Sequence, residues 1–287
     1  QSTFRLIFTG IAMVLPGILI SKLGMVNGVL NTEVGIRKTV ILITILSVLG
    51  IYACVFFLKE KQLTQNRPKT ESLGFMKSIS HLKDKEIILY FLGYFFFFCG
   101  FNILRGDLTY YLSAVMQKDI KYLTVISVVL FGMAGLFFPI TNKFGKKYSY
   151  KKILIVDMLL LIAGTFGLLF INKNNSIFAY VFFVICGAGL SGAAFIFPQA
   201  MLSEISAKLS EIKKISLEGF MFGIQGMFLK LAFLVQQVVQ STLLVAGNQN
   251  VQNGVKGATE LGVKVTLVVA LVLFGISLFF YNLKKED

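Results

Sequence analysis

Residues 87–114 read IILYFLGYFFFFCGFNILRGDLTYYLSA, and the first charge after Ile87 is Arg105. A bilayer span needs about 20 mostly apolar residues. A helix on the surface of a soluble domain would show a polar face at every turn, and the first half of this stretch shows none. Working outward, seven more blocks of the same kind lie at roughly 4–24, 38–58, 120–141, 153–171, 177–203, 216–246 and 261–282. Only 15% of the 287 residues are charged and 56% are hydrophobic, where soluble domains carry about 25% charge. The fold class expected is all-α, a polytopic transmembrane bundle of about eight helices.

The net charge of +14 would suit nucleic acid, but its distribution suits a membrane. Seven basic residues lie in 59–85 (Lys59, Lys61, Arg67, Lys69, Lys77, Lys83, Lys85). Five lie in 142–152: Lys143, Lys146, Lys147, Lys151 and Lys152. Lys208, Lys213 and Lys214 follow, then Lys284 and Lys285 in the tail. The alternate loops carry Lys22, Arg37, Lys38, Lys118, Lys121, Lys173, Lys256 and Lys264. That is seventeen against eight. The positive-inside rule then puts 59–85 and the C-terminus in the cytoplasm of a cell (inner) membrane protein. The basic loops meet lipid headgroups, and no soluble part remains to form a nucleic-acid groove.

The polar stretch 59–85 separates two blocks from six. Residues 1–58 read as the last two helices of an N-terminal half, 59–85 as a basic cytoplasmic central loop, and 86–287 as a C-terminal six-helix half. A two-plus-six split is what a six-plus-six carrier leaves when its first four helices are absent, and the chain starts at Gln1 rather than Met. Such carriers hold their solute near the midplane between the halves. Cys54, Cys99 and Cys186 all fall in apolar blocks and read as packing residues. His81 stands alone in the central loop, so neither a metal site nor a cofactor is expected. With no carboxylate pair at depth and no Ser/His/Asp set, acid–base catalysis is hard to build, and the chain reads as no enzyme.

Polar residues at membrane depth mark function. At about 100° per residue, Gly219, Gly223, Gly226, Lys230, Gln237 and Ser241 fall within about 60° of one another. Gln240 lies beside this stripe, while Gln225 and Gln236 interrupt the apolar remainder. The glycines would admit a neighbouring helix. Lys230 lies too deep to snorkel easily and needs water, a carboxylate or carbonyls. The stripe reads as the lining of a solute path, or as a structural lysine within a bundle. In 87–114, Asn102, Arg105, Gly106, Thr109 and Ser113 share a face. Arg105 could grip an anion or hydroxyls, or snorkel outward. Tyr110 and Tyr111 suit an interfacial belt, and one of them could stack on a solute. Asp107 points elsewhere and could pair with another helix. Gly187, Gly189 and Gly192 spell G-x-G-x-x-G, but no strand or soluble βαβ unit frames it. With Pro198 they read as a close-packed or hinged helix. Asp157, Glu204 and Glu218 fall at cytoplasmic helix ends, where caps or lysine pairs are the simplest roles.

These residues resemble the glycoside-pentoside-hexuronide:cation symporters, the melibiose-permease-like branch of the major facilitator superfamily. Arg5–Lys85 looks like that family's fifth helix, sixth helix and central loop. Asn102 with Tyr110 and Tyr111 is similar to its seventh helix. Asn142-Lys143-Phe144-Gly145-Lys146-Lys147 is similar to its cytoplasmic loop between helices eight and nine. Pro198-Gln199-Ala200-Met201 matches the end of its tenth helix, and Glu218-Gly219 followed by Lys230 matches its eleventh. Glu204 stands where the family has a first aspartate, and Ser216 replaces an arginine. The resemblance implies a twelve-helix carrier of which this chain is the C-terminal two-thirds. Its coupling carboxylates would lie in early helices, with Lys230 near the cation site. Gly145, Lys146, Lys147 and Glu218 would belong to a cytoplasmic gate.

The expected function is cation-coupled symport, with Na⁺ or H⁺, of a sugar, glycoside or similar small polar solute. Lys230, Gln237 and Asn102 lead the candidates for its path, followed by Arg105, Thr109 and Tyr110. A lysophospholipid or amphiphile carrier of the same fold is the alternative, and a non-transporting scaffold or receptor is another. The absence of tryptophan does not favour sugar stacking.

Overall fold

The structure is a computed structural model that describes residues 12, 15–26, 29–57, 84–119, 122–213, 218–246 and 257–283. Residues 4–11, 13 and 14 of the first apolar block fall outside these residues, as do His81 with most of the central loop, Ser216, and Lys284 and Lys285. Two compact units divide the chain: Ile11–Glu71, and Gln1–Gly10 with Ser72–Asp287.

In the first unit a two-residue antiparallel pair, β1 (Met25–Val26) and β2 (Val29–Leu30), precedes helix α1 (Thr32–Phe57). The Asn31 side chain caps α1 by accepting the Val34 backbone N–H at 3.2 Å, which satisfies one of the donors a helix start leaves open. From Ile36 to Phe57 its large apolar side chains are exposed, apart from the half-buried Ile43. That surface suits lipid or other helices and does not suit water.

The second unit holds α2 (Lys85–Tyr110), α3 (Leu123–Tyr148), α4 (Tyr150–Leu168), α5 (Phe178–Leu190), α6 (Phe197–Lys213), α7 (Glu218–Leu243) and α8 (Glu260–Leu283). A π turn, Tyr111–Val115, extends α2, and a π segment, Ser191–Ile196, joins α5 to α6 into one span. Among the described residues six helices of the chain are long and apolar enough to cross a membrane. α4 falls outside that set and carries Lys151, Lys152 and Asp157. The fold is the all-α bundle the hydropathy blocks predict.

Helix ends follow local chemistry. Asp84 caps α2 by accepting the Glu86 N–H at 3.1 Å. Asn172 and Asn175 form a reciprocal capping box on the short 3₁₀ turn Lys173–Asn175, which carries the chain from α4 to α5. The 142–152 segment departs from the expected loop. α3 continues to Tyr148, and Ser149 alone links it to α4 at φ 109°. Gly145, Lys146 and Lys147 are therefore the last turn of α3 and not a loop. Lysines there complement the negative end of the helix dipole, which is why a basic run can remain helical.

α2 is the spine of this unit and packs chiefly on α8 and α7. Burying apolar surface gains nothing from lipid, so close van der Waals fit carries the association. Gly93 lies against the Tyr281 ring, and Gly100 lies against Phe274 and the Ala270 carbonyl. Phe96 stacks on Phe280 with ring centres 5.8 Å apart, and Phe91 stacks on Phe228 at 5.3 Å. On the other side α4 meets α5 where Gly164 abuts Cys186 and Gly167 abuts Phe182.

Candidate functional site

α7 carries two polar faces. On one, Gly219, Gly223, Gly226, Lys230, Gln237 and Ser241 are all exposed. A Cβ built on any of the three glycines meets nothing within 4 Å. No neighbouring helix of the described residues leans on them, so the expected close approach is absent in this arrangement. Lys230 makes no ion pair or hydrogen bond among the described residues. Met227, Leu231, Leu234 and Val238 are also exposed on α7, so the surface around the lysine is amphipathic.

The other face is buried and hydrogen-bonded. Gln225, Gln236 and Gln240 are each under 10% exposed. Gln240 Nε2 donates to Asp107 Oδ1 of α2 at 2.7 Å, and Gln236 Nε2 donates to Gln240 Oε1 at 2.5 Å. Thr266 Oγ1 of α8 donates to Asp107 Oδ2 at 2.6 Å. Asp107 thus ties α2 to α7 and α8. Gly106 leaves room for the two glutamines, since a Cβ there would strike both.

A second buried group lies at the other end of α2. Tyr90 Oη donates to the Pro198 carbonyl at 2.6 Å and accepts from Gln225 Nε2 at 2.7 Å. Gln199 Nε2 completes it by donating to Gln225 Oε1 at 3.1 Å. One tyrosine and two glutamines therefore hold α2, α6 and α7 together. The Pro198 carbonyl can take the Tyr90 proton because a carbonyl oxygen has two lone pairs.

The α2 candidates separate. Asn102 is 1% exposed and its Nδ2 has no partner. Arg105 is half-buried with its guanidinium carbon 5.3 Å from the Phe233 ring centre, a cation–π contact to α7. Thr109 is half-buried and Tyr110 is 39% exposed. Tyr111 is not a belt residue. It is 1% exposed, donates to the Leu168 carbonyl at 2.8 Å and packs edge-on to Phe183. Burial thus sets Asn102 apart from the exposed Lys230 and Gln237.

Gly187, Gly189 and Gly192 are crowded. Gly187 abuts the Leu130 carbonyl of α3, and Gly189 abuts the Asp157 carbonyl and Leu161 nitrogen of α4. Gly192 abuts Asp157 Oδ2, Phe197 and Thr141. Asp157 is therefore no surface cap. It is 4% exposed, because α4 passes within reach of the glycines rather than ending there. Glu204 and Glu218 do lie exposed, Glu218 in the first turn of α7. Gly145 is closed in by Tyr150 and Phe197, whereas Lys146 and Lys147 are exposed.

Sequence reasoning did not single out Tyr90, Gln199 or the inward role of Gln225. The signal was available: Gln225, Gln236 and Gln240 share a face by the same helical arithmetic that found the glycine stripe.

The family model described as MFS/sugar transport protein matches residues 1–285. No curated protein matches the chain.

Proposed function

Because the chain belongs to the MFS/sugar transport family of the major facilitator superfamily, we propose that it works as a cation-coupled carrier of a sugar, glycoside or similar small polar solute. An integral membrane transporter is the coarse reading that the family and the apolar helices support. The finer reading rests chiefly on one observation. Among the described residues Lys230 is an unpaired, exposed cation in the middle of a span, on a face with three unfilled glycines. An intramembrane charge needs water or a partner, and a solute path supplies either. Gln237 on the same face would add amide donors and acceptors for hydroxyls. Arg105, Thr109 and Tyr110 are lesser members of the path, and Asn102 would join only if its helix face opened.

Movement would follow alternating access, with Na⁺ or H⁺ as the coupling ion. The π segment and Pro198 support a hinge in the α5–α6 span, since such irregular turns are where helices bend. Lys146, Lys147 and Glu218 would face the cytoplasm as gate charges, with the C-terminus on the same side by the basic-loop count.

One observation favours an amphiphile instead. The exposed apolar residues of α7 on either side of Lys230 would suit an acyl chain beside an anionic headgroup.

Uptake into proteoliposomes tests both. A panel of sugars and lysophospholipids would be offered with and without a Na⁺ or H⁺ gradient, to wild type and Lys230→Ala. Gradient-driven sugar uptake that falls by tenfold or more in the variant, about 1.4 kcal/mol, is the expected result. Lysolipid movement alone would replace the sugar reading. Folded protein that moves nothing offered would favour a scaffold.

A further inference from the structure

Asp157 is a buried carboxylate that neither the proposed path nor its gate uses. It sits two turns into α4, 4% exposed. Its Oδ2 makes no hydrogen bond of full geometry, and the Gly192 backbone N–H pressed against the carboxyl is the one donor that favours its charged form. Hydroxyls stand close by, but their protons are committed elsewhere. Ser191 Oγ donates to the Ala188 carbonyl at 2.7 Å, and Thr141 Oγ1 lies 2.7 Å from Ser191 Oγ. Since Ser191 gives its proton to the carbonyl, Thr141 supplies the proton between the two oxygens.

No cation compensates the site either. From α3 the neighbour is Thr141, from the π segment Ser191 and Gly192, and from α6 Phe197. Lys143, Lys146 and Lys147 of α3 are exposed, as are Glu204, Lys208 and Glu211 of α6. In α5 the titratable groups are Cys186, held by Thr165, and Tyr180. In α8 Lys264 pairs with Glu260 at 2.7 Å, and Tyr281 lies against Gly93 of α2. On α4 itself Lys151 donates to the Asn282 carbonyl and Lys152 is exposed. Among the described residues Asp157 makes no ion pair. A bare carboxylate in such surroundings is very costly, whereas the neutral acid is tolerated and becomes a donor.

We propose that Asp157 is a proton-binding site of the C-terminal unit, and that its proton keeps the Ser191–Ile196 segment seated on α4. The reasoning is steric as well as electrostatic. Gly192 leaves no space for a water at Oδ2, so that oxygen of an ionised Asp157 could be hydrated only if the π segment withdrew. Loss of the proton and bending of the α5–α6 span are then one event. This site does not rest on the proposed solute or coupling ion. A carrier of any solute, or a scaffold, would hold the same proton.

Infrared spectroscopy of the purified chain in lipid nanodiscs, taken across a pH series, reads the site directly. At neutral pH wild type shows the C=O stretch of a protonated carboxylic acid, and the band is lost as pH rises. Asp157→Asn lacks this band and Asp107→Asn keeps it. If Asp157→Asn does not fold, Asp157→Glu moves the carboxyl and shifts the band frequency. Backbone amides of 191–196 lose exchange protection, after correction for the intrinsic pH effect, over the range where the band disappears. A band unchanged in Asp157→Asn or unshifted in Asp157→Glu overturns the proposal. So does a band erased by Na⁺ at fixed pH, which would make Asp157 a metal-cation ligand.

Discussion

Two glycine runs, alike on paper, do opposite things. Gly187, Gly189 and Gly192 have backbone or side-chain atoms pressed on the place a Cβ would occupy, while Gly219, Gly223 and Gly226 have open space there. Both runs read as close-packing devices in sequence, since small residues let membrane helices approach. What separates them is what faces them. Gly187 and Gly189 meet carbonyl and nitrogen atoms of α3 and α4, which cannot move aside, and Gly192 meets the side chains of Asp157, Phe197 and Thr141. The second shares its face with Lys230, which no helix of the described residues of its unit covers. Glycine therefore marks a place where something must come close, without saying whether that is a neighbouring helix already seated or a surface used in another state.

The largest effect should come from filling the crowded run. Gly189→Leu would drive a side chain into the Asp157 carbonyl and the Leu161 nitrogen. Overpacking costs about 1–3 kcal/mol in a core that can yield, and more where backbone blocks the side chain. The expected outcome is loss of the monodisperse folded protein on size-exclusion chromatography in detergent. Gly189→Leu that elutes and unfolds like wild type would show that α4 and α5 are not in contact as described.

Next is the carboxylate that joins three helices. Asp107→Ala would remove the carboxylate shared by Gln240 and Thr266 and leave them only the Ile103 and Val263 carbonyls, at a cost of about 1–3 kcal/mol, read from unfolding in mixed micelles. A double-mutant cycle with Thr266→Val should give a coupling of about 0.5–3 kcal/mol. Additive effects would mean that the 2.6 Å bond between them carries no weight.

Much of this architecture was legible in the sequence, and the reason is physical. Lipid demands long apolar helices, so the blocks at 87–114, 216–246 and 261–282 emerge as helices within a few residues of the expected ends. Direction along a helix was legible too, because 3.6-residue periodicity fixes which residues share a face. Which face turns inward was not. The stripe with Lys230 stood out by composition, yet it is Gln225, Gln236 and Gln240 that face the bundle. Amides satisfy one another across helices, and a sequence does not show the partner. The same blindness placed Asp157 at a helix end and Tyr111 at the interface. Both are decided by where α4 and α5 cross, a long-range matter. The 142–152 segment was misread for a local reason: a single Ser149 at positive φ is enough to turn the chain, which no composition signals.

A smaller effect is expected at the tyrosine clamp. Tyr90→Phe keeps the ring in place and removes the bridge between Pro198 and Gln225. The loss should be about 1–2 kcal/mol. Gln225→Leu tests the same link from α7, and in Tyr90→Phe its added cost should shrink. Equal cost in both backgrounds would mean that the two residues act separately.

The smallest effect on stability, and the sharpest test of the comparison, is Gly223→Ala. In open space a methyl meets nothing, and replacing glycine inside a helix relieves about 0.5–1 kcal/mol of backbone entropy cost. Stability should therefore stay level or rise slightly, the reverse of any substitution at Gly189. Transport separates the remaining readings. If the stripe stays open throughout the cycle, uptake by Gly223→Ala matches wild type. If another helix slides onto it in a second state, the methyl obstructs that state, and uptake falls while stability does not. Either outcome keeps Gly223 apart from the crowded run. A Gly223→Ala protein destabilised as strongly as Gly189→Ala would abolish the distinction, because it would mean that both faces are packed alike.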